Sequence, residues 1–157
     1  MIDRSVTHAT FTIERTYEAA PARVFAAFAT AEAKAKWFGD HEGDAPSNLK
    51  LDFRVGGRET TGGGPPDGPV FSYEATYQDI VPSERVVSTY VMHLDGALMS
   101  VSLATVQLAP EGGGTRLTYT EQGAYLDGLD QASVREHGTG ELLDKLGAAL
   151  RREPASV

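Results

Sequence analysis

Phe11-Thr-Ile-Glu-Arg-Thr-Tyr17, then Pro21-Ala-Arg-Val-Phe-Ala-Ala-Phe28, then Trp37-Phe38-Gly39 set the plan of this chain. Phe11, Ile13, Arg15 and Tyr17 alternate with Thr12, Glu14 and Thr16, so residues 9–17 predict a half-buried strand. Ala20-Pro21 starts a helix, because proline suits the first turn. Val24, Phe25 and Phe28 lie at helical spacing and predict its buried stripe. A second short helix, Ala31 to Lys36, delivers Trp37 and Phe38.

Working outward, residues 40–48 are polar and hold Gly43 and Pro46, which predicts a loop. Leu49, Leu51 and Phe53 alternate with Lys50, Asp52 and Arg54 and predict a second strand. Gly56-Gly57 breaks it as a bulge or tight bend, and Arg58-Glu59-Thr60-Thr61 begins a return strand. Gly62-Gly-Gly-Pro-Pro-Asp-Gly-Pro69 suits neither helix nor strand interior and reads as a mobile hairpin tip. Further strands are expected at about 70–81, 84–93, 98–109 and 115–122. Their links carry turn residues, of which Asp95-Gly96 is a strong hairpin signal. Links this short predict antiparallel meander pairing.

The chain closes with one long helix, about residues 130–152. Ser133-Val-Arg-Glu136 has the form of a capping box, with Asp130 as a competing cap. At 100° per residue, Leu142, Leu143, Leu146, Ala149 and Leu150 share one face, with Arg135 and Thr139 in its middle. His137, Gly140 and Asp144 point the other way. The expected fold is therefore α+β: a curved antiparallel sheet of about seven strands gripping the C-terminal helix, with two short helices after the first strand. No repeat or domain boundary is apparent, so one domain is expected, its core spanning about residues 9–150. A sheet curved around one helix tends to enclose a cavity, which points to a small-molecule binder.

Composition narrows the function. A chain of 157 residues supports one domain with a real core. The net charge of −8 argues against a nucleic-acid surface, which concentrates Lys and Arg, and against docking on anionic lipid. There are no cysteines, so disulfides, thiolate metal sites and a Cys nucleophile are excluded. The start, Met1-Ile-Asp-Arg-Ser-Val-Thr-His8, does not read as a signal peptide, and no stretch reaches the roughly 20 apolar residues of a membrane span. The expectation is a cytoplasmic protein without a cofactor. His8, His41, His93 and His137 show no metal spacing, no Ser lies in a nucleophile elbow, and Gly62-Gly63-Gly64 lacks the residues of a phosphate loop.

Several motifs occur in a familiar order. They are Pro21-Ala-Arg-Val-Phe25, Trp37-Phe38, Val55-Gly-Gly-Arg58, Val81-Pro-Ser-Glu-Arg-Val-Val87, Gly114-Thr-Arg-Leu-Thr118 and Leu142-Leu-Asp-Lys-Leu146. Over roughly residues 9–150 the chain resembles the SRPBCC superfamily, with its START-like or birch-pollen-allergen-like helix-grip fold. Within it, the chain is most similar to the bacterial branch named after the activator of the heat-shock-protein-90 ATPase. The resemblance implies the fold and not one function, since the superfamily includes lipid carriers, polyketide cyclases, resistance proteins and co-chaperone domains. Many relatives carry Gly-Trp where this chain has Gly138-Thr139. The smaller Thr139 implies a larger or more polar cavity.

Candidate site residues follow from facing and from the resemblance, which places the cavity mouth near Trp37 and Phe38. Plain core packing is the competing reading for both, and the favoured one for Phe38. Val86, Ser88, Tyr90 and Met92 share one strand face, as do Leu98, Ser100, Ser102, Ala104 and Val106, and Leu117, Tyr119 and Glu121. Small polar residues on an inward face suggest unfilled space. A one-residue slip in register would instead turn them all to solvent. Glu121 and Arg135 are the sharpest pair: inward on strand and helix, they are expected to pair and orient a ligand, or Glu121 to act as a general base. In the competing reading both snorkel to solvent.

The expected function is binding of a small hydrophobic or aromatic molecule between sheet and helix, as a carrier or sequestering protein. Trp37, Tyr73, Tyr90, Met92 and Tyr119 would supply walls, and Glu121, Arg135 and Thr139 polar contacts. The facing of strand 70–81, and so of Tyr73, is ambiguous. Two alternatives stand beside this: a cyclase- or hydrolase-like enzyme using the same cavity, and an interaction module for a chaperone ATPase. Edge strands leave a homodimer open.

Overall fold

Short links lay successive strands side by side, and only the first strand has to find a distant partner. The computed structural model describes residues 3–38 and 48–152. The elements run β1 (Val6–Tyr17), α1 (Pro21–Ala29), α2 (Ala31–Ala35), β2 (Lys50–Leu51), β3 (Arg58–Gly63), β4 (Phe71–Val81), β5 (Arg85–Leu94), β6 (Ala97–Glu111), β7 (Gly114–Leu126) and α3 (Ala132–Arg152). They form one seven-stranded sheet in the order β1-β7-β6-β5-β4-β3-β2, with every pairing antiparallel. The α+β architecture expected from the sequence is therefore present. The predicted loop at 40–48 lies almost wholly outside the described residues, as do Gly39 and His41.

Local chemistry accounts for the joins. Proline opens α1, and the Thr30 hydroxyl accepts the Ala33 N–H at 3.1 Å to cap α2. Asp95 (φ 49°) and Gly96 (φ 83°) form the two-residue link between β5 and β6, the backbone a tight hairpin requires. Two irregularities lie in the register: Gln78 is extra between Tyr77 and Asp79, and Met99 is extra opposite Met92 and His93. Bulges of this kind bend a strand and raise its twist.

The structure departs from the sequence reading in five places. The second strand is only Lys50–Leu51, because Asp52 to Gly57 turns back tightly; a Cβ on Gly57 would stand 2.1 Å from the Asp52 carbonyl. Gly62 and Gly63 belong to β3, paired with Ser72 and Phe71, so the hairpin tip is shorter. Leu98 faces outward at 38% exposure, because the extra Met99 takes the buried place. Gly140 is buried, with Arg15 packed against it, rather than facing away. α3 begins at Ala132, before Ser133, so the apparent capping box does not mark its start.

α3 packs on the concave face through Leu143, Leu146 and Ala149, against Phe11, Ile13, Val24, Phe28 and Leu117. Tyr17 at the end of β1 fixes its position. Its hydroxyl donates to the Leu143 carbonyl at 2.8 Å, and its ring lies where a Cβ on Gly147 would approach to 3.2 Å. Replacing Tyr17 by Phe should destabilise the fold by about 1 kcal/mol, the net worth of a buried hydrogen bond. Denaturant titration of the two proteins checks this; equal midpoints would remove Tyr17 as the docking contact.

Candidate functional site

The inner face of β4–β7 alternates large aromatic residues with very small ones. Tyr90 pairs with Ala75 on one side and Ser102 on the other, and Ser102 pairs with Gly123. Ser88, Ala104 and Glu121 form the neighbouring row, and Met92, Ser100 and Tyr125 the next. The inward register expected for β5, β6 and β7 therefore holds from Ser100 onward. Gly123 leaves room for the Tyr125 ring: a Cβ there would lie 3.0 Å from Cζ and the hydroxyl oxygen of Tyr125, a tight approach.

At the centre stands Glu121, fully buried. Its Oε1 accepts the hydroxyls of Tyr90 at 2.6 Å and Tyr119 at 2.7 Å. Its Oε2 accepts from Ser102 at 3.2 Å, and from Tyr125 and Arg135 Nη1 at 3.4 Å each. Arg135 descends from the first turns of α3 and spreads its fork. Nη1 also donates to the Tyr90 oxygen at 2.8 Å, while Nη2 donates to Ser100 at 2.8 Å and Asp130 at 2.6 Å. The guanidinium lies 5.6 Å from the Tyr90 ring centre and 5.5 Å from that of Tyr125, within cation–π range. Glu121 and Arg135 are thus paired inside the domain and do not snorkel to solvent.

The electrostatics follow from burial. Desolvation and the nearby Glu121 push the Tyr90 and Tyr119 phenols well above their ordinary 10.0, with Tyr90 itself adding to the rise at Tyr119. Tyr125 is pushed up to about 12 by burial and then by Glu121. Burial alone would lower Arg135, but Tyr90, Glu121 and Asp130 hold it above its usual range. The arrangement keeps the phenols protonated as donors and Arg135 charged.

The other predicted residues fall around this centre. Tyr73 faces inward, its ring 4.9 Å from Tyr90 and 5.3 Å from Phe38, which settles the facing of β4. Met92 packs with Tyr90, Ala75 and Ala104. Thr139 is one turn past Arg135 and spends its hydroxyl proton on the Arg135 carbonyl at 2.8 Å. Trp37 is core: it is 5% exposed, donates to the Ala27 carbonyl at 3.0 Å and packs edge-on against Phe28 and Phe38. Phe38 and Tyr73 link it to the centre.

A second buried charge pair was not anticipated from the sequence. Lys34 Nζ lies 2.7 Å from Glu59 Oε1, which also accepts the Tyr77 hydroxyl, while Oε2 has no hydrogen-bond partner. Glu59 shares the inward face of β3 opposite Ala75, a position that alternation marks once the strand's partner is known. Two concavities formed by described residues are surface grooves elsewhere. One, of about 470 Å³, runs between β1 and α3 along Thr12, Arg15, Gly140 and Asp144. The other, of about 630 Å³, lies across the sheet along His8, Thr89, Val101 and Gln122.

All six tyrosines have phenol pKa values raised above 10.0, burial being the first cause in each. The folded state therefore holds these protons more tightly than the unfolded chain. Their contribution to stability is complete below pH 10 and falls as pH rises above it. Phenolate absorbance should be absent near pH 10, with Tyr125 the first to ionise at about 12 and the other five ionising with unfolding. Gradual ionisation of the native protein near pH 10 would contradict this burial.

No curated protein gives a significant match to the chain. Among solved structures, an uncharacterized protein from Rhizobium leguminosarum is 43% identical, with a TM-score of 0.90 over 96% of this chain and 99% of that one. The Mll3558 protein from Rhizobium loti is 50% identical, with a TM-score of 0.86 over 93% and 99%. CV1439 from Chromobacterium violaceum is 27% identical, with a TM-score of 0.71 over 93% and 98%. No helix among the described residues is long and apolar enough to cross a membrane. Residues 18–151 match the family described as activator of Hsp90 ATPase homolog 1-like protein, and this chain belongs to that family.

Proposed function

We propose that the protein binds a small, largely apolar molecule between the inner face of the sheet and α3, as a carrier or sequestering protein. The observation that carries this reading is the Glu121–Arg135 centre. Stability alone gives little reason to bury an ion pair there, because apolar packing of similar volume is often as stable or more so. Desolvated ionisable groups with strongly shifted neighbours are the pattern of working sites. Around the centre, Tyr73, Tyr90, Met92 and Tyr119 offer apolar walls, and Ala75, Ser100, Ser102 and Ala104 keep the sheet floor low. Mostly apolar walls with a few convergent polar groups are the usual lining of a ligand site. The family's fold suits a ligand-binding domain. A ligand would part the aromatic side chains and so select a more open arrangement.

One observation favours a second, catalytic reading. Arg135 donates to Tyr90, and Tyr90 donates to Glu121, a relay ending on a carboxylate shielded from water. In that reading Glu121 acts as a general base on the bound molecule. Glu121→Gln would then abolish turnover while retaining binding.

A thermal-shift screen against lipophilic and aromatic metabolites tests the binding reading. A ligand at ~100 times its dissociation constant should stabilise by roughly 2.7 kcal/mol. Ligands should also change the emission of Trp37, the single tryptophan, through the Phe38–Tyr73 contact. Arg135→Met should weaken any hit and destabilise the fold by about 3 kcal/mol, as Glu121 loses its counter-charge. Silence across a broad library, in both stability and emission, would sink the reading.

A further inference from the structure

The Lys34–Glu59 pair is incompletely satisfied in a way that packing does not explain. Glu59 is fully buried on β3. Both of its donors, Lys34 Nζ and the Tyr77 hydroxyl, reach the same oxygen, Oε1. Oε2 is buried with no hydrogen-bond partner, and it is the one side-chain polar atom so placed among the described residues. A buried carboxylate oxygen without a donor is costly, and such an atom in a native fold calls for a reason. Glu121, the other buried carboxylate of the interior, has both oxygens met.

The place of Glu59 in the interior supplies a reason. Lys34 Nζ lies 4.5 Å from the Phe38 ring centre. Phe38 packs on Tyr73, and Tyr73 on Tyr90, whose hydroxyl is bound to Glu121. A continuous row of aromatic rings thus joins the two buried carboxylates, one saturated and one with an acceptor to spare.

We infer that Glu59 Oε2 is a second polar contact of the ligand site, accepting a hydrogen bond from a neutral O–H or N–H group at one end of an otherwise apolar ligand. The inference rests on the binding reading above. Its chemistry follows from the pair itself. Lys34 already supplies the positive charge at this carboxylate, so a second cation would meet it at close range, and an anion would meet Glu59. A neutral donor satisfies Oε2 without disturbing either charge.

The test compares 2-naphthalenemethanol with 2-methylnaphthalene, which share a ring and differ by a hydroxyl, by calorimetric titration. In a variant carrying Lys34→Met with Glu59→Leu, both charges go together and neither is left unpaired. Relative to the unmodified protein, the alcohol should bind the variant about tenfold more weakly or worse, while the hydrocarbon binds unchanged. A variant-free readout guards against misfolding: the Glu59 carboxyl ¹³C resonance should move with the alcohol and stay still with the hydrocarbon. If both probes bind but the alcohol moves no Glu59 resonance, or keeps its affinity in the variant, the assignment of Glu59 is overturned and the binding reading stands. If neither probe binds the unmodified protein, the assignment of Glu59 falls, and the binding reading answers to the broad screen above.

Discussion

The Glu121 carboxylate, buried on β7 and met by Arg135 from α3, is the contact around which the interior is arranged. A charge removed from water must recover its solvation from the protein, and every lone pair left unmet is costly. That demand explains much of the surrounding sequence. Tyr90 and Tyr119 bring hydroxyls to one oxygen, and Ser102 brings a third to the other. Tyr125 reaches the same carboxylate with its ring close over Gly123, where no side chain crowds it. Ser100 is small and polar because Arg135 needs an acceptor where the helix meets the sheet.

The two buried charge pairs differ in a way that follows from their cations. Arginine presents several donors in a planar fork and here meets Tyr90, Glu121, Ser100 and Asp130 at once. It therefore stitches strands β5, β6 and β7 to the start of α3. Lysine is closer to a point charge. Lys34 meets Glu59 at one oxygen and turns toward the Phe38 ring. One centre is a saturated network and the other keeps a free acceptor. Both lie on the inner face of the sheet.

Much of the fold was legible because strand and helix periodicities are local. The alternation in β1, the stripe of α1 and the Asp95-Gly96 turn each depend on a few adjacent residues. The inward facing of Tyr90, Ser102 and Glu121 was legible for the same reason, since a period of two carries along an undisturbed strand. It failed at Leu98, where one bulged residue reverses the facing of everything before it. It failed at Gly140 because the side on which α3 meets β1 is a packing outcome, decided by Tyr17 and Arg15. The Lys34–Glu59 pair was missed because a lone Lys on a five-residue helix and a Glu beginning a short strand look like solvated residues.

By itself, the sequence determined the order and type of the elements, the absence of cysteine chemistry, the inward faces of the central strands and the candidacy of Glu121 with Arg135. Those features rest on composition and on periodicities that a linear chain displays. Only the tertiary structure decided that Glu121 takes five donors, that Trp37 packs as core, and that Glu59 keeps an unmet oxygen. Each depends on contacts between residues far apart in the chain, and the cost of burying charge, which no local pattern records, selects among them.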